Sequence, residues 1–83
     1  MRRMLVSEIR GMAVFTESGT ALGTCKDVYI DMDTGRVLQF VVGKRLIDVG
    51  EHLLIGIEDV RDVTDDTIIV RDAFVGLGAA LPA

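Results

Sequence analysis

The residues of this chain that could do chemistry are few, and the most reactive types occur once each. Cys25 is the only cysteine and His52 the only histidine. A cysteine–histidine nucleophile pair needs contact between the two side chains and a third group that orients the base, and nothing in the sequence brings these two together. One cysteine also excludes an internal disulfide. We therefore expect Cys25 to be a small strand residue, His52 to be a loop residue, and the protein not to be an enzyme.

The stretch Asp31-x-Asp33-x-Gly35 briefly resembles the start of a calcium-binding loop. An EF-hand loop requires an oxygen ligand at its fifth position, Gly at the sixth and Glu at the twelfth. Here those positions hold Gly35, Arg36 and Val42. Asp side chains also hydrogen-bond to nearby backbone amides in turns, so the pattern favours a turn, and we expect no metal site.

Two glycine-containing stretches do not fit the patterns that bind phosphate or dinucleotides. Gly43-Lys44-Arg45 lacks the upstream Gly and the following Ser or Thr of a phosphate loop. Gly76-x-Gly78 follows no βαβ unit. We therefore predict no cofactor.

Charge argues against nucleic acid as a partner. The 83 residues have a formal net charge of −4, whereas nucleic-acid binders usually present a basic stripe to the phosphates. Arg2-Arg3 and Lys44-Arg45 are the only adjacent basic pairs. No apolar run approaches the roughly 18 residues of a membrane span, and one unpaired cysteine fits a reducing compartment. We expect a cytoplasmic protein without a signal peptide.

The segment that organises the chain is a predicted β-hairpin within Leu22–Val42. Two β-prone apolar runs, Val28–Ile30 and Val37–Val42, flank the turn residues 31–35. Gly35 can adopt a positive φ without a Cβ clash, so it suits the turn.

Shorter elements surround this hairpin, and together they predict one all-β domain over residues 1–72. Ser7 and Gly11 would begin and end a helical turn. A bulge or bend is expected from Gly23 to Asp27, where the alternation of apolar residues fails. The four acids after residue 60 are expected to form a solvated edge: Asp62, Asp65, Asp66 and Asp72. Besides the hairpin arms at 21–31 and 36–42, strands are predicted at 12–16, 53–57 and 67–70, with a further short segment at 61–63.

The strand from Arg36 to Val42 has apolar residues on both of its faces. Phe40 and Val42 would lie on one face, together with Leu38, and Val37 and Val41 on the other. Either both faces are covered within one chain, or the second face meets another subunit. A domain of this size has a thin core and commonly needs oligomerisation for support, so we predict Val37 and Val41 as interface residues of a dimer or larger oligomer.

The C-terminal residues 73–83 contain no charge. A frayed terminus is one interpretation. Disordered tails are usually polar, however, so we expect this segment to pack on its own domain or against a neighbour. Its candidate interface residues are Phe74, Val75, Leu77 and Leu81.

Several short motifs follow one another between about Leu5 and Val70. They are Gly11, Ser18-Gly19, Leu22-Gly23, Lys26-Asp27-Val28, Asp31 with Asp33-Thr34-Gly35-Arg36-Val37, Leu54-Ile55 and Glu58-Asp59-Val60. By the order and spacing of these motifs, the segment resembles the PRC-barrel family, named for the C-terminal domain of the photosynthetic reaction centre H subunit.

The resemblance implies a small curled barrel of about six antiparallel strands and a non-enzymatic adaptor that docks other proteins, often as a dimer. The partner would be a second copy or a paralogous PRC-barrel protein. Short stand-alone members, common in archaea, take part in cell division, where they link the tubulin-like ring to its membrane anchor. The family also includes the C-terminal half of a ribosome maturation factor, so association with RNA or a ribosomal protein is the alternative.

Overall fold

The computed structural model describes residues 3–43 and 52–72. Residues 44–51 and the apolar segment at 73–83, with the predicted interface residues Phe74, Val75, Leu77 and Leu81, lie outside these ranges. The described elements are one short helix, α1 (Val6–Ile9), one 3-10 helix (Ile57–Asp59) and six strands. The strands are β1 (Ala13–Thr16), β2 (Ala21–Ile30), β3 (Val37–Gly43), β4 (Leu53–Gly56), β5 (Val60–Val63) and β6 (Thr67–Val70).

The six strands form one mixed sheet in the order β4-β3-β2-β1-β6-β5. The prediction of an all-β fold is confirmed, but the prediction that all strands are antiparallel is wrong. β6 runs parallel to β1, with Ala13 opposite Thr67 and Thr16 opposite Val70. β5 and β6 form an antiparallel hairpin, and β6 is the strand of this hairpin that pairs with β1. The hairpin turn therefore determines the direction of β6.

The sheet is not closed by strand pairing within the described ranges. β4 and β5 are the two ends of the strand order, so the six strands of the expected curled barrel form a sheet whose end strands do not pair with each other in the described ranges. The 3-10 helix Ile57–Asp59 joins these end strands and contacts β3. Its Asp59 forms an ion pair with Arg71, with Nε and Oδ1 2.6 Å apart, and this pair links the connection to the end of β6.

Bulges keep apolar side chains on the inner face of β2 despite their irregular spacing. The β1–β2 register shifts at Leu22, and the β2–β3 register shifts between Cys25 and Asp27. Each extra residue reverses the alternation. Leu22 and Cys25 are therefore both buried although they lie three residues apart. These shifts fall in or beside the Gly23–Asp27 stretch where the sequence predicts a bulge.

The core lies under the inner face of the sheet and consists mainly of valine, leucine and isoleucine, with Phe40 as its one buried aromatic residue in the described ranges. Ile55 and Ile68 have no exposed surface, and burial of such a side chain contributes roughly 1.5–3 kcal/mol. The buried hydrophobic residues are Met12, Val14, Leu22, Cys25, Phe40, Val42, Leu53, Ile55, Ile68 and Val70. Every strand except β5 contributes to this set, so the core depends on the whole sheet.

The helical turn begins earlier than the sequence predicts. Leu5 is the N-cap of α1, and Ser7 lies inside the helix rather than capping it. The Leu5 amide donates to Oε1 of Glu8 at 2.9 Å, which satisfies one of the donors that a helix start leaves unpaired. Arg10 is the C-cap, and the following Gly11 has a φ of 96°.

Asp72 does not simply belong to a solvated acidic edge. Its carboxylate accepts a hydrogen bond from the Ser18 amide at 2.8 Å. The Glu17 amide donates to the carbonyl of Val70, so the β1–β2 turn is attached to the end of β6 at two points. Thr16, which is buried, accepts the Thr20 amide on its Oγ1. The two contacts with the end of β6 could not be predicted from local sequence patterns, because each joins residues more than fifty positions apart.

The β2–β3 turn is held by the Asp31 backbone and by Gly35. The Asp31 amide donates to the Arg36 carbonyl at 2.8 Å, and the Asp31 carbonyl accepts the Gly35 amide at 2.6 Å. Gly35 has a φ of 76°, a conformation that L-residues with a Cβ seldom adopt. A Cβ built on Gly35 would meet no atom within 4 Å, so any penalty for substitution is conformational rather than steric crowding.

We predict that Gly35→Val lowers the free energy of unfolding by more than about 1 kcal/mol, because a β-branched residue is strained at positive φ. Gly35→Asn is the matched control, since Asn tolerates this region better. It should cost clearly less. Urea denaturation followed by circular dichroism measures both. Equal losses for the two variants would contradict a conformational origin.

Candidate interaction surface

The two potentially reactive residues, Cys25 and His52, lie in or directly beside strands of the sheet. Cys25 is buried in the core, and its thiol donates weakly to the Asp27 carbonyl at 3.4 Å. Burial raises the pKa of this thiol, which keeps it protonated at neutral pH. His52 precedes β4 and its ring lies beside Gly43. Within residues 3–43 and 52–72, no three His, Cys, Asp or Glu side chains group as metal ligands.

The outer face of β2, β3 and β4 presents a row of apolar side chains. Val41 stands opposite Leu54 on β4, and Gln39 stands opposite Tyr29 on β2. Directly paired residues share a face of the sheet, so these four side chains form one surface, hereafter the outer patch. Tyr29 is 56% exposed and Leu54 41% exposed. Asp27, which stands opposite Val41, lies at its border.

Val37 does not share this surface with Val41, contrary to the predicted alternation. The β2–β3 register shifts again between Tyr29 and Ile30, where Leu38 is the additional residue on β3. The shift turns Val37 inward, and it packs against the core cluster. Leu38, expected to face inward with Phe40 and Val42, is instead 46% exposed. The bulge in β3 could not be predicted from the sequence, because Val37 and Leu38 are both apolar and either could face the core.

Met32 lies at the tip of the β2–β3 hairpin. It is 90% exposed, more than any other large apolar residue of the described ranges. Met32 lies between Asp31 and Asp33. The Asp31 carboxylate accepts the Asp33 amide at 2.9 Å, and the Arg36 amide donates to Oγ1 of Thr34 at 3.3 Å. These side chains therefore build the turn, as their types indicate. The sequence analysis did not identify Met32 and Leu54 as surface residues. For Met32 the sequence does indicate exposure, because an apolar residue lies there within a polar turn.

Three further residues from the motifs of the family resemblance, Gly19, Gly23 and Asp27, also lie in turns or beside bulges. Gly19, in the β1–β2 turn, has a φ of 97°, and Gly23, in β2, has a φ of 142°. Oδ1 of Asp27 accepts the amide of Val28 at 2.9 Å, next to the bulge of β2. These contacts are local and shape the strand that borders the outer patch.

Comparison with known proteins agrees with this architecture. Residues 1–73 match the PRC-barrel domain family. This match extends over most of the chain, so the protein belongs to the PRC-barrel family. A search among curated protein sequences finds no match.

Among solved structures, the chain is similar to a protein of Pseudomonas aeruginosa described as the 16S ribosomal RNA processing protein RimM. The two share 17% sequence identity with a TM-score of 0.59. The superposition covers 84% of this chain and 44% of the other, so this chain spans under half of that protein's length. At this identity the likeness concerns the fold. In the described ranges, no helix is long and apolar enough to cross a membrane.

We predict that the turn contributes a pH-dependent stability through Asp31. The Asp31 carboxylate accepts a hydrogen bond from the Asp33 amide, and this bond is the main reason that the pKa of Asp31 lies below its ordinary value of 3.8. A hydrogen bond with the Thr34 side chain lowers the pKa further. A lowered folded-state pKa means that the unfolded chain takes up the proton first. The stabilisation is therefore present above the unfolded-state value and is lost as the pH falls through the folded-state value.

An NMR titration of the Asp31 carboxyl carbon measures that pKa directly. Denaturation of wild type and Asp31→Asn across pH 2–7 is the paired measurement. Their difference in unfolding free energy should shrink in the acid limb. A titration at or above 3.8, or a difference that does not vary with pH, would contradict the role assigned to this carboxylate.

Proposed function

We propose that this protein is a non-enzymatic adaptor that self-associates through the outer patch and recruits partner proteins. The observation on which the proposal rests is the exposed apolar row Tyr29, Val41 and Leu54 on a member of the PRC-barrel family. Apolar side chains gathered on one face of a sheet mark an interaction surface more often than scattered ones do. The only charged residue paired within this row is Asp27, at its border.

The geometry of the outer patch suits a symmetric contact between two copies. It is a face of paired strands, and a two-fold interface brings the same surface of both subunits together. Tyr29 offers a large amphipathic ring of the type enriched in interfaces. The small core of an 83-residue chain gains additional apolar burial from such a contact. A paralogous PRC-barrel protein with the same face could replace the second copy.

The cellular role that we propose is cell division of the archaeal type, in which the adaptor links the tubulin-like ring to its membrane anchor. Support for it comes from the resemblance to short stand-alone family members of similar length. The second candidate is a ribosome-maturation-type assembly factor. Its support is the fold shared with RimM, which is described as a 16S ribosomal RNA processing protein.

The charges on the described surface favour the first candidate. Arg71 is paired with Asp59, and Arg61 lies 3.6 Å from Glu17. The Arg10 guanidinium donates to the Lys26 carbonyl at 3.2 Å. Three of the described basic groups are thus engaged within the fold, and the net charge of the chain is −4. An RNA partner would need a basic surface to replace the counterions on its phosphates.

We predict that Val41→Asp weakens self-association, because it would place a carboxylate inside the apolar contact. Val6→Asp is the matched control: Val6 is 43% exposed at the start of α1, away from the sheet face. Light scattering coupled to size exclusion, across a dilution series, measures the mass. Wild type and Val6→Asp should exceed the 9.0 kDa of one chain at concentrations where Val41→Asp does not. A monomeric wild type would overturn the self-association.

We also predict no tight binding to RNA at physiological salt. Fluorescence polarisation with a labelled structured RNA, repeated at several salt concentrations, is the measurement. A polyanion binder loses affinity steeply as salt rises. Tight binding with such a slope would favour the ribosome-maturation candidate and count against the adaptor.

A further inference from the structure

The β2–β3 hairpin extends past both of the strands that flank it. β1 pairs with β2 no further than Thr24, and β4 pairs with β3 no further than Gln39 at this end. Within the described ranges, residues 30–38 are therefore flanked by no other strand of the sheet. We call this segment the arm. A two-stranded ribbon of this kind has few neighbours to cover its side chains.

The arm is nevertheless rich in exposed apolar groups. Met32 is 90% exposed, Leu38 46% and Ile30 41%. Three of the eight large exposed hydrophobic residues of the described chain thus lie within this short segment. Methionine is flexible and polarisable, and it is common at binding surfaces that adapt to a partner. Met32 buries almost none of its surface within the described ranges, so its apolar side chain points to a partner outside the fold.

Carboxylates surround these apolar groups. Between Asp27 and Leu38 the sequence contains three aspartates and one arginine, Arg36. Asp31 is used by the turn. Asp33 is exposed, and its carboxylate makes no hydrogen bond or ion pair with the described residues. A partner that met Met32 would therefore also meet negative charge on either side of it.

We infer that the arm is a docking element for an apolar protein surface bordered by lysine or arginine side chains. Met32 and Leu38 would enter the apolar part, and Asp33 would face the basic border. This inference rests on the proposed adaptor function and identifies its recruiting surface, which is separate from the outer patch. A lipid bilayer fits less well, because the carboxylates next to Met32 oppose both insertion and contact with anionic lipids.

The test uses a synthetic amphipathic helix of leucine and lysine, about 15 residues long, near the length at which isolated helices become stable. It presents an apolar stripe bordered by lysines. Fluorescence anisotropy of the labelled peptide measures binding to the full-length protein. A peptide with glutamate in place of lysine is the charge control and should not bind. Vesicles of neutral and of anionic lipid form the membrane arm of the test, and neither should bind.

Two pairs of variants locate the contact. Met32→Ser should weaken peptide binding by about tenfold, within the range for a central interface residue. Leu5→Ser, at a site 67% exposed outside the arm, should not. Asp33→Asn should weaken binding and reduce its salt dependence. Asp65→Asn, an exposed site outside the arm with the same change in net charge, should do neither. Both arm positions are exposed, so the variants should fold as wild type does.

The inference fails if the leucine–lysine peptide does not bind, if the glutamate peptide binds equally well, or if Met32→Ser binds as tightly as wild type. Binding to vesicles that Met32→Ser abolishes would assign the arm to a membrane instead. Met32→Ser should leave the mass in light scattering unchanged. If it dissociates the oligomer, the arm is a contact between copies of this chain and the inference is wrong. Loss of self-association in Val41→Asp tests the outer patch separately.

Discussion

The pairing of β2 with β3 is the constraint on which the rest of the structure depends. β2 has ten residues and β3 seven, whereas each of the other strands has four. The two long strands connect β4 on one side to β1 on the other. They also supply Cys25, Phe40 and Val42 to the core. Weakening this pair would separate the two halves of the sheet, and neither half has a core of its own.

The same length difference creates the surfaces that could bind other proteins. Where β4 pairs with β3, the inner face is buried and the outer face presents Val41 and Leu54. Beyond Gln39 no other strand of the described ranges pairs with the hairpin, which presents Met32 and Leu38 there. Both surfaces thus belong to the same hairpin. The proposed adaptor function would need at least two separate contacts, and the outer patch and the arm are the two surfaces that we assign to it.

Much of the fold could be predicted from the sequence because the signals were local. The turn at 31–35 follows from Asp31 and Gly35, and the strand positions follow from β-prone runs bounded by turn residues. The face that each residue occupies was harder. One extra residue reverses the alternation, and the bulge at Leu38 lies between apolar residues that either face would accept. The parallel β1–β6 pair and the hydrogen bond from Ser18 to Asp72 join residues that are distant in sequence. Local sequence patterns cannot predict such pairs.

Val41 lies on the outer face of the sheet and Val37 does not, and the contact of Val41 with a second subunit stays a prediction. The measurement that tests the central claim most directly is an isotope-filtered NOE experiment on a mixture of labelled and unlabelled protein. It detects only contacts between chains. If the outer patch joins two copies, cross-chain NOEs should connect the methyl groups of Val41 and Leu54 and the ring of Tyr29. Self-associated protein whose cross-chain NOEs arise elsewhere, with none at these three residues, would contradict the account.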